Sequence, residues 1–314
     1  MHLIRGNTQT IHAPRIVATV GNFDGMHVGH QAIMQRLNDL AKSLDAKTCI
    51  ITFEPLPHEV FSVDAPPARL HGLRDRFHNF KTAGVDYCLL QRFNETFRSL
   101  SADEFIQRIL VKQLNLHTLI VGDDFRFGKN RGGSFSTLKD AGKEYGFTVQ
   151  DTNTLIHNGE RISSSRIRKA LQSNQLSEAA ELLGRPYRIS GRVIHGEKVG
   201  RQLGFPTANI ALKKQQPPLQ GVFAVNATCE QTQRTYPAVA NLGRRPTVKG
   251  LKLLLEVHLL NANEDLYGKH LQIDFMHHIR GEVKFDSLDE LKAQIARDAD
   301  EAKALLDPAA VKLS

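Results

Sequence analysis

The chain has 314 residues, of which 41% are hydrophobic and 24% are charged. This composition is typical of folded globular protein and excludes a disordered, collagen-like or disulfide-scaffold chain, while the length predicts about two domains at roughly 150 residues each. The 41 Lys and Arg residues against 33 Asp and Glu give a formal net charge of +8, which favours phosphate-bearing or polyanionic partners without selecting one.

The cysteines and the hydropathy pattern predict the compartment. Cys49, Cys88 and Cys229 are odd in number, far apart in sequence and each embedded in an apolar stretch. They are therefore predicted to be reduced core residues, and the absence of a CxxC pair disfavours zinc. The first 25 residues lack the apolar core of a signal peptide, and no stretch approaches the ~18 apolar residues of a membrane helix. We expect a cytoplasmic protein without a membrane partner.

In the first half of the chain, short apolar runs alternate with segments of helical period. Repetition of strand and helix predicts an α/β domain, with a parallel sheet covered by helices. The predicted strands are 16–20, 48–53, 85–90 and 117–122. Three helices are predicted from one apolar face of Ile33, Leu37, Leu40 and Leu44, from another of Leu70, Leu73, Phe77 and Phe80, and from a capping box of Ser101 and Glu104 ahead of Phe105, Ile109 and Leu110.

The pattern changes near Gly184 and Pro186, which mark the end of a helix. We place a domain boundary there, giving domains 1–184 and 185–314. Predicted strands at 187–195, 221–228, 235–241, 251–260 and 270–279 indicate an antiparallel barrel or sandwich. A last helix begins at the capping box of Ser287 and Glu290 and should cover one side of the barrel with an apolar stripe formed by Leu288, Leu291, Ile295, Ala299 and Leu306.

A candidate anion site follows the first predicted strand, where residues 21–30 lead into a helix. At the carboxyl end of a parallel strand, backbone N–H groups and the helix dipole face a bound phosphate. His27 and His30 are three residues apart with Gly29 between them, so both imidazoles can lie on one side of the first turn and donate to a polyphosphate. Zinc is disfavoured because no third ligand lies at metal spacing; two surface histidines remain the alternative.

A second phosphate-type segment lies at 161–168, just ahead of another predicted helix. Ser163, Ser164 and Ser165 can cap that helix and offer N–H groups, and Arg168 belongs to a cluster of cations there. The alternative is a plain N-cap with a solvated basic face. Two such segments in one α/β domain would arise by accident far less often than one, which favours phosphate binding.

The first half resembles a known family. The string His27-Val28-Gly29-His30 resembles the HxGH signature of nucleotidyltransferases, and Ser163-Ser164-Ser165-x-x-Arg168 resembles their Ser-Ser-Thr-x-x-Arg signature, with Ser165 in place of the usual Thr. With residues 21–30, 52–55 and 121–128, these segments resemble the FMN adenylyltransferase half of bacterial bifunctional riboflavin kinase/FMN adenylyltransferases. The resemblance implies a Rossmann-like nucleotidyltransferase fold.

The resemblance also implies an activity and a set of site residues. The FMN phosphate attacks the α-phosphorus of ATP and pyrophosphate leaves, a transfer that depends on positioning and charge stabilisation rather than on a protein nucleophile. His27 and His30 would hold the ATP phosphates, Ser163, Ser164 and Arg168 the pyrophosphate, and Asp124 would lie near the nucleotide or the flavin. Further ATP or phosphate candidates are Gly21, Phe23, Asp24, Gly29 and Ser165, and the flavin candidates are Phe53, Pro55 and Phe125.

In the second half, residues 196–209 join two predicted strands and contain Gly196, Gly200 and Gly204. Glycines allow backbone N–H groups to approach phosphate closely, and the oxygens of Thr207 and Asn209 lie at alternate positions suited to Mg²⁺. A flexible barrel loop is the alternative interpretation, and without a Walker motif a P-loop kinase is unsupported.

This half resembles the riboflavin kinase part of the same family, a β-barrel with a C-terminal helix. The motif Pro206-Thr207-Ala208-Asn209 matches its PTAN signature, and residues 241–247 resemble a second signature loop in which Arg245 is a flavin candidate. The resemblance implies that Glu256 is the general base that takes a proton from the ribityl 5′-hydroxyl of riboflavin as it attacks the γ-phosphate of ATP. Strand alternation could instead turn Glu256 to solvent. At Asn261 the family often has Asp.

The preferred hypothesis is a bifunctional transferase that converts riboflavin to FMN in the barrel and FMN to FAD in the N-terminal domain, using MgATP in both steps. One alternative is an adenylyltransferase for another phosphate acceptor, with the barrel as a binding or regulatory module. A nucleic-acid-binding protein is disfavoured because the chain has no Trp for stacking and its basic residues lie beside phosphate-type loops.

Overall fold

The computed structural model describes residues 1–6, 10–11, 13–62, 66–195, 204–212, 216–247, 250–260, 262 and 264–307, with side chains left undescribed at 244–247 and 250–252. These residues form two compact units. The first unit is Met1–Pro67 with Leu73–Ser163, and the second unit is Ala68–Gly72 with Ser164–Ser314. A domain boundary after residue 184 stays a prediction.

The first unit contains a six-stranded sheet in the order β1-β4-β3-β2-β5-β6, in which all neighbouring strands are parallel. This confirms the predicted α/β class. The strands β1 and β6 were not predicted, because each is only four residues long and carries mostly exposed or partly exposed side chains. The strands are β1 (His2–Arg5), β2 (Ile16–Val20), β3 (Lys47–Glu54), β4 (Tyr87–Arg92), β5 (Leu116–Val121) and β6 (Thr148–Asp151), and a separate hairpin pairs β7 (Ile156–His157) with β8 (Glu160–Arg161).

Both faces of this sheet are covered. Every residue of β2 is buried, although successive side chains of a strand point to opposite sides. Val17 joins one core cluster with Met34 and Phe80, while Ala18 joins another with Ile109. The helices are α1 (Val28–Ser43), α2 (Pro57–Phe61), α3 (Leu73–Thr82), α4 (Glu95–Arg98), α5 (Ala102–Phe105), which continues as the π-helix Ile106–Gln113, and α6 (Phe135–Tyr145).

Two predictions about these helices have different outcomes. The capping box before α5 is present, since the Ser101 hydroxyl accepts from the Glu104 N–H and the Glu104 carboxylate accepts from the Ser101 N–H. The prediction that Leu70 shares a helix with Leu73 is wrong, because α3 begins at Leu73 and Leu70 belongs to the second unit.

The second unit contains a closed six-stranded barrel in the order β10-β13-β12-β11-β14-β9, with antiparallel neighbours. The barrel is therefore confirmed over the sandwich. The strand β10 was interpreted as part of a loop, because its four residues directly follow Pro206. The elements are α7 (Ser164–Gln172), α8 (Leu176–Leu183), β9 (Tyr187–Ile194), β10 (Thr207–Ile210), β11 (Gly221–Cys229), β12 (Thr235–Thr247), β13 (Gly250–Leu259), β14 (His270–Arg280) and α9 (Leu288–Leu306).

The last helix, α9, begins as predicted, since the Ser287 side chain accepts from the Glu290 N–H at 3.2 Å. It packs Ala299 and Ala302 onto the outer face of the barrel. Leu288, predicted to lie on the buried stripe, is 64% exposed in the first turn. Among the described residues, no helix combines the length and the apolar character that crossing a membrane requires.

Candidate functional site

The histidine pair of the first unit lies where β2 leads into α1. His27 is the N-cap of α1, and its Nδ1 accepts from the backbone N–H of His30 at 3.2 Å. The two rings stack with centroids 3.6 Å apart, so they lie on the same side of the first turn as the spacing predicted. A Cβ at Gly29 would lie 3.1 Å from the His27 ring, which explains the glycine between them. The edge of the Phe23 ring packs against His30 at 5.1 Å.

The charge state of His27 follows from its surroundings. The pKa of His27 is lowered from 6.5 to about 4, chiefly by burial and next by the Arg161 cation, while the carboxylate of Asp24 acts in the opposite direction. At neutral pH His27 is therefore uncharged. Because Nδ1 accepts a hydrogen bond, the proton of the neutral ring resides on Nε2, which can donate to an incoming oxygen.

A charged pair belongs to the same unit. The carboxylate of Asp124, which follows β5, accepts from the Arg161 guanidinium at 2.7 Å, and both side chains are more than half exposed. Asp124 was a predicted site residue. Arg161 belongs to the basic cluster at 161–168, but the sequence does not predict a role for it. The cluster contains several cations, and the sequence does not show which of them lies near the histidines.

The flavin candidates of the first unit include a buried position. Phe53 is 9% exposed at the end of β3, and its ring lies 5.7 Å from that of Phe93. Phe125 stacks on Phe127 at 5.6 Å. The segment that contains Phe53 is held by Arg76, a fully buried residue whose guanidinium donates to the Phe53 carbonyl at 3.2 Å, to the Thr52 hydroxyl and to the Glu54 carboxylate.

Arg76 was not found by the sequence analysis. It occupies the apolar face of α3 that Leu73, Phe77 and Phe80 define, at the i+3 position from Leu73. The sequence signal that could have identified Arg76 is a cation at a position predicted to face the core. A buried charge of this kind must be paired inside the protein.

The serine-rich segment spans the two units. Ser163 ends the first unit, while Ser164 and Ser165 begin α7 in the second unit. Ser165, the position that departs from the family pattern, is exposed. One turn later, Arg168 is partly buried and its Nε donates to the carbonyl of Ala68 at 2.6 Å.

The second unit brings its predicted polar residues into one row across three barrel strands. Glu256 of β13 lies opposite Asn209 of β10 and opposite Asn241 of β12. Directly paired residues project from the same face, so the carboxylate has an amide side chain on either side. Glu256 is half-buried and Asn209 is 7% exposed. The Oδ1 atom of Asn241 is buried and accepts no hydrogen bond among the described residues.

Two cavities lie on opposite faces of the β10–β13 pair and share Thr207. A cavity of about 300 Å³ contains Glu256 and Asn241 on the outer barrel face. Its other side is formed by α9 and the segment that precedes it, through residues that include Phe285, Leu291 and Ile295. A cavity of about 520 Å³ is lined by Ala208, Val257 and Leu259, with Asp265 and Tyr267 at its edge.

An ion pair connects the barrel to α9 beside the smaller cavity. The Arg280 guanidinium donates to both carboxylate oxygens of Asp298, at 2.9 and 2.7 Å, and Gln294 donates to the same carboxylate at 2.8 Å. Asp298 is 3% exposed. Neither charged residue was predicted, although Asp298 directly precedes Ala299 of the predicted stripe.

Part of the predicted kinase loop lies outside the described residues, namely Gly196 and Gly200, as does Asn261. The side chain of Arg245 is likewise not described, although its backbone belongs to β12. Gly204 is described and adopts a φ of +88°, which favours glycine there.

Comparison with known proteins gives one consistent family. The FAD synthetase family model matches residues 9–166, and the riboflavin kinase model matches residues 183–306. The chain is 48% identical over 300 residues to the bifunctional riboflavin kinase/FMN adenylyltransferase of Escherichia coli (strain K12), covering 95% of this chain and 96% of that protein. The protein of the same name from Haemophilus influenzae is 44% identical over 312 residues, which cover 98% of this chain and 100% of that protein.

A solved structure agrees at the level of the fold. The crystal structure of a protein titled a macrolide-efflux protein from Streptococcus pneumoniae superposes with a TM-score of 0.82 at 28% identity, covering 96% of this chain and 99% of that chain. The two family models occur in the order that the motifs predicted, and the relatives match almost the full length. The chain belongs to the family of bifunctional riboflavin kinase/FMN adenylyltransferases.

Proposed function

We propose that the chain performs two successive reactions with MgATP, each at the residues that carry the corresponding motif. The barrel phosphorylates the ribityl 5′-hydroxyl of riboflavin to give FMN. The adenylyltransferase half then joins the AMP part of a second ATP to the FMN phosphate, giving FAD and pyrophosphate. The observation that carries the assignment is the row of Glu256 between Asn209 and Asn241. Glu256 lines one cavity, and a second cavity shares the lining residue Thr207 with it.

In the barrel, Glu256 is the general base. As the riboflavin hydroxyl oxygen bonds to the γ-phosphorus, its proton passes to the Glu256 carboxylate and ADP leaves. The smaller cavity, which contains Glu256, therefore takes riboflavin, and the larger cavity takes ATP. Thr207 lines both cavities, so the γ-phosphate would lie beside it.

The residues of β10 fit a magnesium ion. A hydroxyl, an amide oxygen and a nearby carboxylate are hard oxygen donors, as Mg²⁺ requires, and phosphate oxygens and water would complete its six positions. Thr207 and Asn209 would hold the ion, which neutralises charge on the transferring phosphate. Among the remaining kinase candidates, Gly204 leads the chain into β10, and the predicted roles of Gly196, Gly200 and Arg245 stay proposals.

In the adenylyltransferase half, the two imidazoles act as hydrogen-bond donors. His27 donates from Nε2 and His30 lies stacked against it, so both reach the same phosphate group and stabilise the charge that develops on it. Ser163, Ser164 and Arg168 bind the departing pyrophosphate. Asp124 lies near the nucleotide or the flavin.

The remaining adenylyltransferase candidates support these groups. Gly29 gives the stacked histidines their close approach, and Phe23 packs on His30. Phe53, Pro55 and Phe125 are proposed to contact the flavin. Gly21, Asp24 and Ser165 complete the proposed phosphate site. We also propose the domain limits 1–184 and 185–314 and a cytoplasmic location.

The test is a time course with purified protein, riboflavin, ATP and Mg²⁺, with riboflavin, FMN and FAD separated by chromatography. We expect FMN and then FAD, and chelation of Mg²⁺ should stop both steps. The Glu256→Gln variant should form no FMN from riboflavin but should still convert supplied FMN to FAD. In the His30→Ala variant FMN should accumulate. Formation of FMN at the normal rate by Glu256→Gln would refute the general-base assignment.

The alternative function, adenylylation of another acceptor with a binding or regulatory barrel, would gain support if Glu256 faced solvent. Glu256 instead lines a cavity and is half-buried. The kinase function is therefore the better explanation of the barrel.

A further inference from the structure

A five-residue segment from the first half of the chain belongs to the second unit. Ala68–Gly72 clusters with the residues after 163, although Pro67 and Leu73 on either side of it belong to the first unit. We call this segment the strap. Leu70 and His71 of the strap are 2% and 3% exposed, so both side chains are buried.

Two side chains from different elements hold the strap by its backbone. Arg168 of α7 donates from Nε to the carbonyl of Ala68 at 2.6 Å. Tyr187, the first residue of β9, donates from its hydroxyl to the carbonyl of Leu70 at 3.0 Å. The strap thus connects the helix of the serine-rich motif to the first strand of the barrel.

Tyr187 is itself rigidly held. It is 1% exposed, and its ring lies 5.9 Å from that of Phe275, which in turn lies 5.2 Å from that of Phe223 in the barrel core. A side chain packed in this way has one position for its hydroxyl, so the Leu70 carbonyl has one position too.

The hydrogen bond at Nε constrains the orientation of the Arg168 guanidinium. The guanidinium is planar, so a partner at Nε sets the directions of both terminal nitrogens, with which an arginine binds phosphate oxygens. A shift of the Ala68 carbonyl would rotate that plane and misdirect both nitrogens.

We propose that Tyr187, a residue of the kinase barrel, is a positioning residue for adenylyl transfer, because it fixes the strap and the strap orients Arg168 toward pyrophosphate. The inference rests on the proposed role of Arg168 as a pyrophosphate ligand. It makes the adenylyltransferase site dependent on a barrel residue that takes no part in riboflavin phosphorylation.

The experiment measures the reverse reaction, in which an oxygen of pyrophosphate bonds to the AMP phosphorus of FAD, the bond to the FMN phosphate breaks, and ATP and FMN form. In the full chain, Tyr187→Phe removes the hydroxyl and keeps the ring. We expect the KM for pyrophosphate to rise about tenfold, the effect of one misplaced charge-assisted hydrogen bond. The kcat and KM of riboflavin phosphorylation should not change.

Tyr145→Phe is the matched control. Its hydroxyl accepts from the Gln107 amide at 3.1 Å, so the same substitution removes a hydrogen-bonded hydroxyl at an exposed site of the first unit. This variant should leave both activities unchanged. If Tyr187→Phe does not fold, Arg185→Gln serves instead, because Arg185 contacts His71 of the strap at 3.5 Å and should give the same change in KM.

A double variant distinguishes the proposed role of Arg168 from that of Tyr187. Arg168→Gln should raise the KM for pyrophosphate, and adding Tyr187→Phe should raise it no further, since the hydroxyl acts through Arg168. If Arg168→Gln alone has no effect, the proposed role of Arg168 fails and the inference with it. If Arg168→Gln has its effect but Tyr187→Phe leaves the KM unchanged, lowers both activities in parallel, or adds to Arg168→Gln, the inference alone is overturned.

Discussion

Acidification should destabilise the first unit through His27. The pKa of His27 is about 4 in the folded protein because the ring is buried, while its ordinary value is 6.5. Between these values the unfolded chain binds a proton that the folded protein does not, so the free energy of unfolding falls as the pH falls. Above pH 6.5 both states are neutral, and below about pH 4 the loss is complete.

The magnitude follows from the two pKa values. A difference of about 2.5 units corresponds to a limit of about 3.4 kcal/mol. At pH 5 about 2 kcal/mol of that should already be lost relative to pH 7.5. The ring is only 6% exposed, so solvent screening reduces this value little. Protonation of Nδ1 would also break the cap on the His30 N–H.

The assay is urea unfolding followed by circular dichroism at pH 7.5 and pH 5.0. His27→Asn is the comparison, because Asn is a good N-cap but does not titrate. The wild type should lose about 2 kcal/mol more than this variant between the two pH values. Equal losses would show that His27 carries no lowered pKa, and the neutral-donor role would then lose its basis. Asp298→Asn identifies the transition of the second unit, which it should shift by itself.

Three further predictions concern both halves. Glu256→Gln should lower the rate of riboflavin phosphorylation by at least about a hundredfold, the usual contribution of a general base, and leave FMN adenylylation intact in the chromatographic assay. Asp298→Asn leaves the Arg280 cation without its carboxylate partner and should lower the free energy of unfolding of the second unit by about 3 kcal/mol, measured by thermal denaturation. Arg76→Met should raise the KM for FMN in adenylylation, because residues 52–54 lose three hydrogen bonds, without changing the KM for riboflavin.

The fold was largely predictable because burial leaves a periodic signal. The central strands of the parallel sheet are buried on both faces and read as continuous apolar runs, as β2 does over all its residues. The barrel strands were found in the same way. The strand β10 escaped detection because four residues after a proline carry too little period.

The candidate site was predictable only where a motif carries it. The histidine pair and the PTAN string are contiguous in sequence, so a chemical role could be proposed for them from the sequence alone. Arg76 and Asp298 were missed because a charged side chain on a helix is ordinarily assigned to solvent, whereas these two are buried and paired. A buried charge can be recognised only when its partner in the folded protein is known, and the periodicity of a helix does not show that partner.

The row formed by Asn209, Glu256 and Asn241 is related to the position of the last helix. Side chains such as Phe223 and Phe275 pack in the interior of the six-stranded barrel, on the face opposite to Glu256. Glu256 projects instead from the outer face, where one sheet surface alone would leave it in water. The helix α9 supplies the opposite wall of the cavity, and the pair of Arg280 and Asp298 holds it there. A carboxylate on a barrel exterior thus gains a second wall, which suits its proposed role in taking a proton from a hydroxyl.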